Sequence, residues 1–123
     1  VKNVPEDIET HQLAVGSEQK MISLSEDDFT QSKRVIGEGT IPMVTIDSLG
    51  LEDIDLIKID VEGYEMEVLK GAEETLKGVK YIMIELNSNT KKYGSSNSKI
   101  EKHLKSLGFK SLIKQWPDQV FYK

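Results

Sequence analysis

Charged and amide side chains collect at the ends of two apolar segments of the sequence, residues 55–61 and 80–86. If the first segment is a strand, Lys58 and Asp60 lie on the same face, because side chains alternate along a strand. The rise of a strand separates them by about 7 Å along the chain. Asp60 could then orient a substrate or accept its proton, with Lys58 keeping the carboxylate ionised. The alternative is a charge pair that neutralises itself beneath the following helix.

Two further carboxylates lie in the connection between this strand and a predicted helix. Glu62 sits in the turn, where it either interacts with the helix dipole or takes part in binding and chemistry at a substrate. Glu65 occupies the apolar stripe of the helix, and a carboxylate on an inward face normally has a partner. Lys58 or free backbone amides at the helix start are the structural candidates for that partner, and a substrate is the functional candidate.

Glu85 and Asn87 end the second apolar segment and share one of its faces. If the two strands are neighbours, Glu85 lies near Asp60, and paired carboxylates raise one pKa in a way that suits proton abstraction. The same oxygens could hold a divalent cation with Asn87, but no histidine or tighter motif accompanies them, and we assign no metal. We assign six residues to the site: Asp60, Glu62 and Glu85 to catalysis, and Lys58, Glu65 and Asn87 to substrate binding.

Composition indicates one ordinary globular domain. The 123 residues fit a single domain that covers residues 1–123. The net charge of −5 argues against a nucleic-acid partner, whose binding surface would be basic. The absence of cysteine excludes disulfides, thiolate metal sites and cysteine catalysis. No apolar run is long enough to span a membrane and no signal peptide is evident, so we expect a cytoplasmic protein without a membrane partner.

The order of elements around the candidate residues predicts an α/β fold. The isoleucine-rich segment before Val61 indicates a strand buried on both faces, Gly78 is a natural stop for the first helix, and a capping box at 98–101 opens the second. Strands that alternate with helices favour a mostly parallel, Rossmann-like sheet, which a closing hairpin extends with an antiparallel edge. The predicted elements are a strand at 55–61, a helix at 64–77, a strand at 80–86, a helix from 98, and hairpin strands at 109–114 and 119–122.

The upstream part of the sequence is less regular. Residues 8–15 and 21–24 predict two strands joined in a hairpin, and 41–46 predict a third strand. Between them, residues 25–39 read as a long polar loop.

Several of these segments resemble the FkbM family of S-adenosylmethionine-dependent methyltransferases. The resemblance is carried by VTIDSL at 44–49, LIKIDVEGYE at 56–65, VLKGA at 68–72 and IE at 84–85, with HQLAVG at 11–16 similar to an upstream piece of the family. It implies a partial class I methyltransferase fold. It also implies transfer of a methyl group from S-adenosylmethionine to a hydroxyl oxygen of a small molecule or sugar.

The chain departs from the family where the cofactor binds. Family members hold S-adenosylmethionine with a glycine-rich turn after the first strand and an acidic residue ending the second, and neither is present here. Gly37 and Gly39 stand in a polar loop with no helix pattern after them, so the cofactor-binding residues are unknown. The chain resembles the carboxyl-terminal part of the domain, truncated at its amino terminus.

Two alternatives remain open at this stage. A non-catalytic α/β module that binds another chain is the alternative to an enzyme. Separately, the strand that neighbours residues 56–61 in the family's sheet is missing, so this strand would have an unpaired edge. Residues 8–15 or 41–46 are candidates to cover it, and we favour pairing with a second copy of the chain. Separately, Lys91, Lys92 and Tyr93 form a short basic patch after the second strand, which is either a plain solvated loop or a place where an anionic or sugar acceptor binds.

Overall fold

Two β-sheets form the framework of the computed structural model, which describes residues 3–25 and 35–123. The smaller sheet has the order β1-β3-β2 and comprises β1 (Ala14–Val15), β2 (Lys20–Ile22) and β3 (Ile41–Val44). The larger has the order β4-β5-β7-β6 and comprises β4 (Leu56–Ile59), β5 (Tyr81–Glu85), β6 (Lys110–Lys114) and β7 (Asp118–Tyr122). The helices of the described residues are α1 (Glu65–Lys70), α2 (Asn97–Ser106) and 3-10 helices at Asp47–Leu49, Thr75–Lys77 and Ser88–Tyr93. The predicted α/β class is confirmed.

In the smaller sheet, β3 lies between the two strands that the sequence suggested would pair. β1 runs parallel to β3, and β2 runs antiparallel to it. The predicted hairpin is therefore wrong, and residues 8–13 lie outside β1 and pair with no strand of the described residues. Most of the predicted loop, residues 26–34, lies outside the described residues, and a single bridge joins Leu24 to Val35 around it.

The larger sheet is mixed rather than mostly parallel. β4 and β5 are parallel, whereas β5 with β7 and β7 with β6 are antiparallel. The closing hairpin is confirmed, but its second strand pairs with β5 and so lies between β5 and β6. The hairpin makes β7 antiparallel to β6, and the order of the sheet places β7 against β5 in the antiparallel direction as well, so β4 and β5 are the parallel pair of this sheet.

α1 is shorter than the predicted helix at 64–77. The carbonyl of Gly71 accepts a hydrogen bond from the amide of Asp47 at 2.9 Å. The amide of Thr75, which would bond that carbonyl in a continuing helix, instead donates to Asp47 Oδ1 at 2.8 Å. The competing bonds end the helix at Lys70. Gly78 is not the left-handed stop that we predicted, because its φ is −96°.

The second helix also begins earlier than predicted. Ser96 caps it by accepting a hydrogen bond from the amide of Lys99 at 3.2 Å. The serine of the predicted capping box, Ser98, lies inside the first turn. Two alternative serines two residues apart made the cap ambiguous in the sequence, and the extended backbone at Ser96 decides it.

One core unites the larger sheet with both helices. Its fully or almost fully buried members are Ile59, Val68, Leu69, Ala72, Leu76, Val79, Ile82, Ile84, Leu86, Ile100, Leu104, Phe109 and Phe121. β5 is central to it, because Ile82 and Ile84 are both 0% exposed. None of the helices in the described part of the chain has the length and apolar character needed to cross a bilayer.

β4 is an edge strand and is not buried on both faces as predicted. Leu56 is 54% exposed, Lys58 is exposed, and Ile59 is buried. The strand pairs with β5 on one side, and within residues 3–25 and 35–123 no strand pairs with its other side. The suggested cover from residues 8–15 or 41–46 does not form, because those residues belong to the smaller sheet. Pairing with a second copy stays a prediction.

Asp47 joins the end of β3 to the region after α1, and its removal should destabilise the fold. It accepts three hydrogen bonds, from the Glu74 amide at 3.2 Å and from the amide and hydroxyl of Thr75 at 2.8 and 2.7 Å. Asp47→Ala is expected to lower the free energy of unfolding by about 1–3 kcal/mol in urea denaturation at neutral pH. Asp55→Ala, which removes an exposed carboxylate, is the control and should change it by less than about 0.5 kcal/mol.

The pKa of Asp47 determines how the effect of Asp47→Ala on stability should change with pH. Burial raises the pKa of Asp47, but the hydrogen bonds from Thr75 and Glu74 outweigh burial and leave that pKa below its ordinary value of 3.8. The stabilisation is therefore present above that value and is lost as the pH falls through the lower folded pKa. The difference in free energy of unfolding between the unmodified chain and Asp47→Ala should become smaller as the pH falls. A difference that stays constant down to strongly acidic pH would contradict stabilisation by the ionised Asp47 carboxylate.

Candidate functional site

The carboxyl ends of β4 and β5 bring Asp60 and Glu85 together. The parallel register pairs Ile59 with Ile84, so the next residue of each strand is the neighbour of the other. A hydrogen bond with Asp60 raises the pKa of Glu85, and burial and the negative charges of Asp60, Glu62 and Asp118 raise it further. The expectation that Glu85 lies beside Asp60 is confirmed. The pair can hold a proton that an isolated carboxylate would release.

Lys58 does not serve as the partner of either carboxylate. Among the ion pairs of the described residues, none joins Lys58 to Asp60 or to Glu65. The self-neutralising pair that we considered is therefore wrong. The role of Lys58 in substrate binding stays a prediction.

Asn89, which the sequence analysis missed, ties the loop after β5 to the turn after β4. Its side-chain amide donates to Glu62 Oε2 at 3.2 Å, and its backbone amide donates to Asn87 Oδ1 at 2.8 Å. Asn87 thereby caps the 3-10 helix Ser88–Tyr93. The signal available in the sequence was the Asn-Ser-Asn spacing after a strand, which is typical of a side-chain-capped turn. The proposed functional roles of Glu62 and Asn87 stay predictions.

Glu65 lies beneath the turn between β4 and α1. Its side chain is 1% exposed, and Oε1 accepts hydrogen bonds from the amides of Gly63 at 3.1 Å and Val61 at 3.4 Å. Backbone amides are thus the partner, as one of our alternatives proposed. The other oxygen, Oε2, is buried without a hydrogen-bond partner in the described chain. Its assignment to substrate binding stays a prediction.

Removal of the Glu65 side chain should leave the backbone amides of Val61 and Gly63 without their hydrogen-bond acceptor. Glu65→Ala is expected to lower the free energy of unfolding by about 1–3 kcal/mol, the cost of leaving buried polar groups unpaired. Urea denaturation of the purified variants measures it. Glu52→Ala, at an exposed glutamate, is the matched control and should stay within about 0.5 kcal/mol of the parent. An equally small effect of Glu65→Ala would show that the buried bonds contribute nothing.

An apolar groove of about 310 Å³ runs beside the free edge of β4. It is lined by Val15, Ile46, Ile57, Lys58, Ile59, Asp60, Val61 and Val68. Asp60 is the carboxylate on this wall, so a ligand in the groove would reach the Asp60–Glu85 pair. No group of three or more His, Asp or Glu side chains within the described residues could hold a metal ion.

Comparison with known proteins gives a family match and two relatives. Residues 3–111 match the Methyltransferase FkbM domain. The chain is 27% identical over 79 residues to Hexuronic acid methyltransferase AglP of Haloferax volcanii, covering 64% of this chain and 26% of that protein. It is 72% identical over 25 residues to Methyltransferase sdnD of Sordaria araneosa, covering 20% of this chain and 10% of that protein. No solved structure matches the chain significantly.

Proposed function

Because the chain belongs to the FkbM methyltransferase family, we propose that it takes part in methyl transfer from S-adenosylmethionine to a hydroxyl oxygen of a sugar or another small molecule. The observation that carries the proposal is the Asp60–Glu85 pair, with the raised pKa of Glu85, at the carboxyl ends of two parallel strands. In Rossmann-like sheets, ligands bind at that end. The β4-α1-β5 unit supports the assignment to that fold.

The chemistry that this chain's residues supply is removal of the acceptor's proton. A hydroxyl must lose its proton when its oxygen gains a methyl group. Asp60 is exposed at the strand end and accepts that proton, which is then shared with Glu85. The raised pKa belongs to Glu85, and a carboxylate whose pKa is raised towards the operating pH holds the transferred proton better than an ordinary one.

The described residues do not fit a complete site for S-adenosylmethionine. The groove beside β4 offers Asp60 and Lys58 as its charged groups, and its other lining residues are apolar. Gly39 offers no open cradle, because a Cβ there would lie 2.0 Å from Ser23 Oγ and 2.5 Å from the carbonyl oxygen of Ile22. β3, rather than a helix, follows it. The groove supplies one wall of a donor site at most.

The acceptor class is supported by a relative. AglP is described as a hexuronic acid methyltransferase, and a hexuronic acid carries both hydroxyl groups and a carboxylate. The present chain spans about a quarter of AglP, at 26% of its length, so activity and substrate are proposals here. We propose an acidic sugar as the first acceptor to test.

A binding module is the second candidate, favoured by the free edge of β4. An exposed strand edge with Leu56 54% exposed is a template for pairing with another chain. In that case the chain would associate with a copy of itself or with another protein and would not transfer methyl groups.

A transfer assay decides between the two candidates. The protein that carries this sequence is incubated with S-adenosylmethionine labelled in its methyl group and with glucuronate or a glucuronoside. The proposal predicts a methyl ether in the product, located by fragmentation mass spectrometry. Label on the carboxylate, as a methyl ester, would overturn O-methylation of a hydroxyl. Absence of transfer together with a sedimentation mass above that of one chain would favour the binding module.

A further inference from the structure

A second cavity lies beyond the first helix, separate from the groove beside β4. It has a volume of about 440 Å³ and is enclosed by α1, by the loop at 93–95 and by α2. That volume is in the range of small-ligand pockets. The residues discussed above as site candidates do not line it.

The wall of this cavity carries an excess of positive charge. Lys70, Lys99, Lys102 and His103 line it. Lys70 is neutralised by Glu67 at 2.9 Å, whereas Lys99 Nζ has only the carbonyl oxygen of Gly94, at 3.5 Å. No carboxylate in the described chain pairs with Lys102. Within residues 3–25 and 35–123, two ammonium groups without a carboxylate partner therefore line one cavity, although the net charge of the chain is −5.

Two polar atoms of the lining residues are buried and have no hydrogen bond within the described residues. They are Ser95 Oγ and His103 Nε2. The His103 atom lies 3.5 Å from Glu73 Oε1, a distance that permits weak attraction but is long for a hydrogen bond. Both atoms have almost no exposed surface, so a ligand in the cavity would not contact them unless the wall moved, and the polar groups that face the cavity are the lysines.

Tyr93 connects this cavity to the candidate site. Its ring packs edge-on against Tyr64, with centroids 4.9 Å apart, and its hydroxyl accepts a hydrogen bond from the Val35 amide at 3.0 Å. Tyr64 begins the turn into α1, immediately after Gly63. The cavity is thus bounded by segments that follow β4 and β5, the strands that end at Asp60 and Glu85.

We propose that this cavity binds the carboxylate of an acidic monosaccharide, with Lys99 and Lys102 in its wall providing the charge. The inference rests on the proposed function, since it makes the cavity the subsite for the acidic sugar of the acceptor. The lysines assigned here to anion binding differ from those of the basic patch that the sequence suggested. Lys91 and Lys92 are exposed and do not line the cavity, whereas Tyr93 does.

The test is a titration of the full 123-residue chain with glucuronate, without any methyl donor. Amide chemical shifts at 94–103 report on the cavity, and glucose is the neutral control of the same size. Glucuronate should perturb these amides, more weakly at high salt because the attraction is ionic, and glucose should not. Because no transfer is measured, the result stands apart from the outcome of the transfer assay.

Substitutions test which lysines are responsible. The double variant Lys99→Gln/Lys102→Gln should bind glucuronate at least about tenfold more weakly, because hydrogen bonds to charged groups are strong. Lys105→Gln removes one charge from the same helix at a position outside the cavity and should bind as the parent does. A preserved amide spectrum establishes that each variant is folded.

Four results of the sugar titrations and the variants overturn the proposal, and a fifth comes from a phosphate titration. They are equal binding of glucose and glucuronate, an effect of Lys105→Gln as large as that of the double variant, perturbations that map away from 94–103, and no binding of glucuronate at all. A titration with inorganic phosphate, followed by the same amide chemical shifts, is the remaining control. If it binds as tightly as glucuronate, the cavity holds anions without recognising a sugar, and the acidic monosaccharide is the wrong occupant.

Discussion

Asp60→Asn is expected to lower methyl transfer at least about 100-fold, since general acid–base groups contribute about 10²–10⁴ to turnover. The asparagine keeps the shape of the side chain but cannot accept the acceptor's proton. It also removes the charge that raises the pKa of Glu85. Turnover of a hydroxyl acceptor at saturating donor, compared with the parent protein, measures the effect.

Asp55→Asn is the matched control for this prediction. Asp55 lies just before the opposite end of β4 and pairs with Lys80 at 3.0 Å on the surface. Its replacement should leave turnover unchanged. If Asp60→Asn also leaves turnover unchanged while the protein remains folded, Asp60 is structural and the base must be another residue.

Gly63→Ala is expected to cost at least about 3 kcal/mol in the free energy of unfolding, through backbone strain and overpacking together. Gly63 has a φ of +108°, which side chains rarely adopt. A Cβ there would also lie 2.5 Å from the carbonyl oxygen of Asn89. The loop after β5 would have to move, and with it the bond from Asn89 to Glu62.

Gly37→Ala is the control that separates the cost of backbone strain from the cost of steric contact with Asn89. Gly37 has a similar φ of +104°, but a Cβ there would meet no atom of the described residues within 4 Å. Its substitution should cost only the strain, about 1–2 kcal/mol. Urea denaturation of both variants gives the comparison, and equal losses would show that contact with Asn89 does not constrain the turn.

The parts of the site that the sequence predicted are those governed by local rules. The alternation of side chains and the apolar character of residues 55–61 and 80–86 were enough to place Asp60 beside Glu85, once the strands were taken as neighbours. The inward position of Glu65 followed from helical spacing, and its burial required a partner close in sequence. Local backbone amides supplied that partner.

The parts that the sequence did not predict depend on contacts between distant residues. β3 enters between β1 and β2, which no local pattern distinguishes from a hairpin. α1 ends early because Asp47 competes for Gly71 and Thr75. The basic cavity combines Lys70 with Lys99 and Lys102 from a separate helix, and each of these lysines alone reads as an ordinary solvated residue.

The pH dependence of methyl transfer, measured for the parent protein and for Glu85→Gln, tests most directly the claim that the carboxyl pair accepts the proton. The pair must be without its shared proton to act as the base. Because the pKa of Glu85 is raised above its ordinary value of 4.5, the rate of the parent should rise with pH through that higher value. In Glu85→Gln the carboxyl group with the raised pKa is absent, so the rise through that value should be lost and the maximum rate should fall. A rise at the same pH in both proteins would contradict the account.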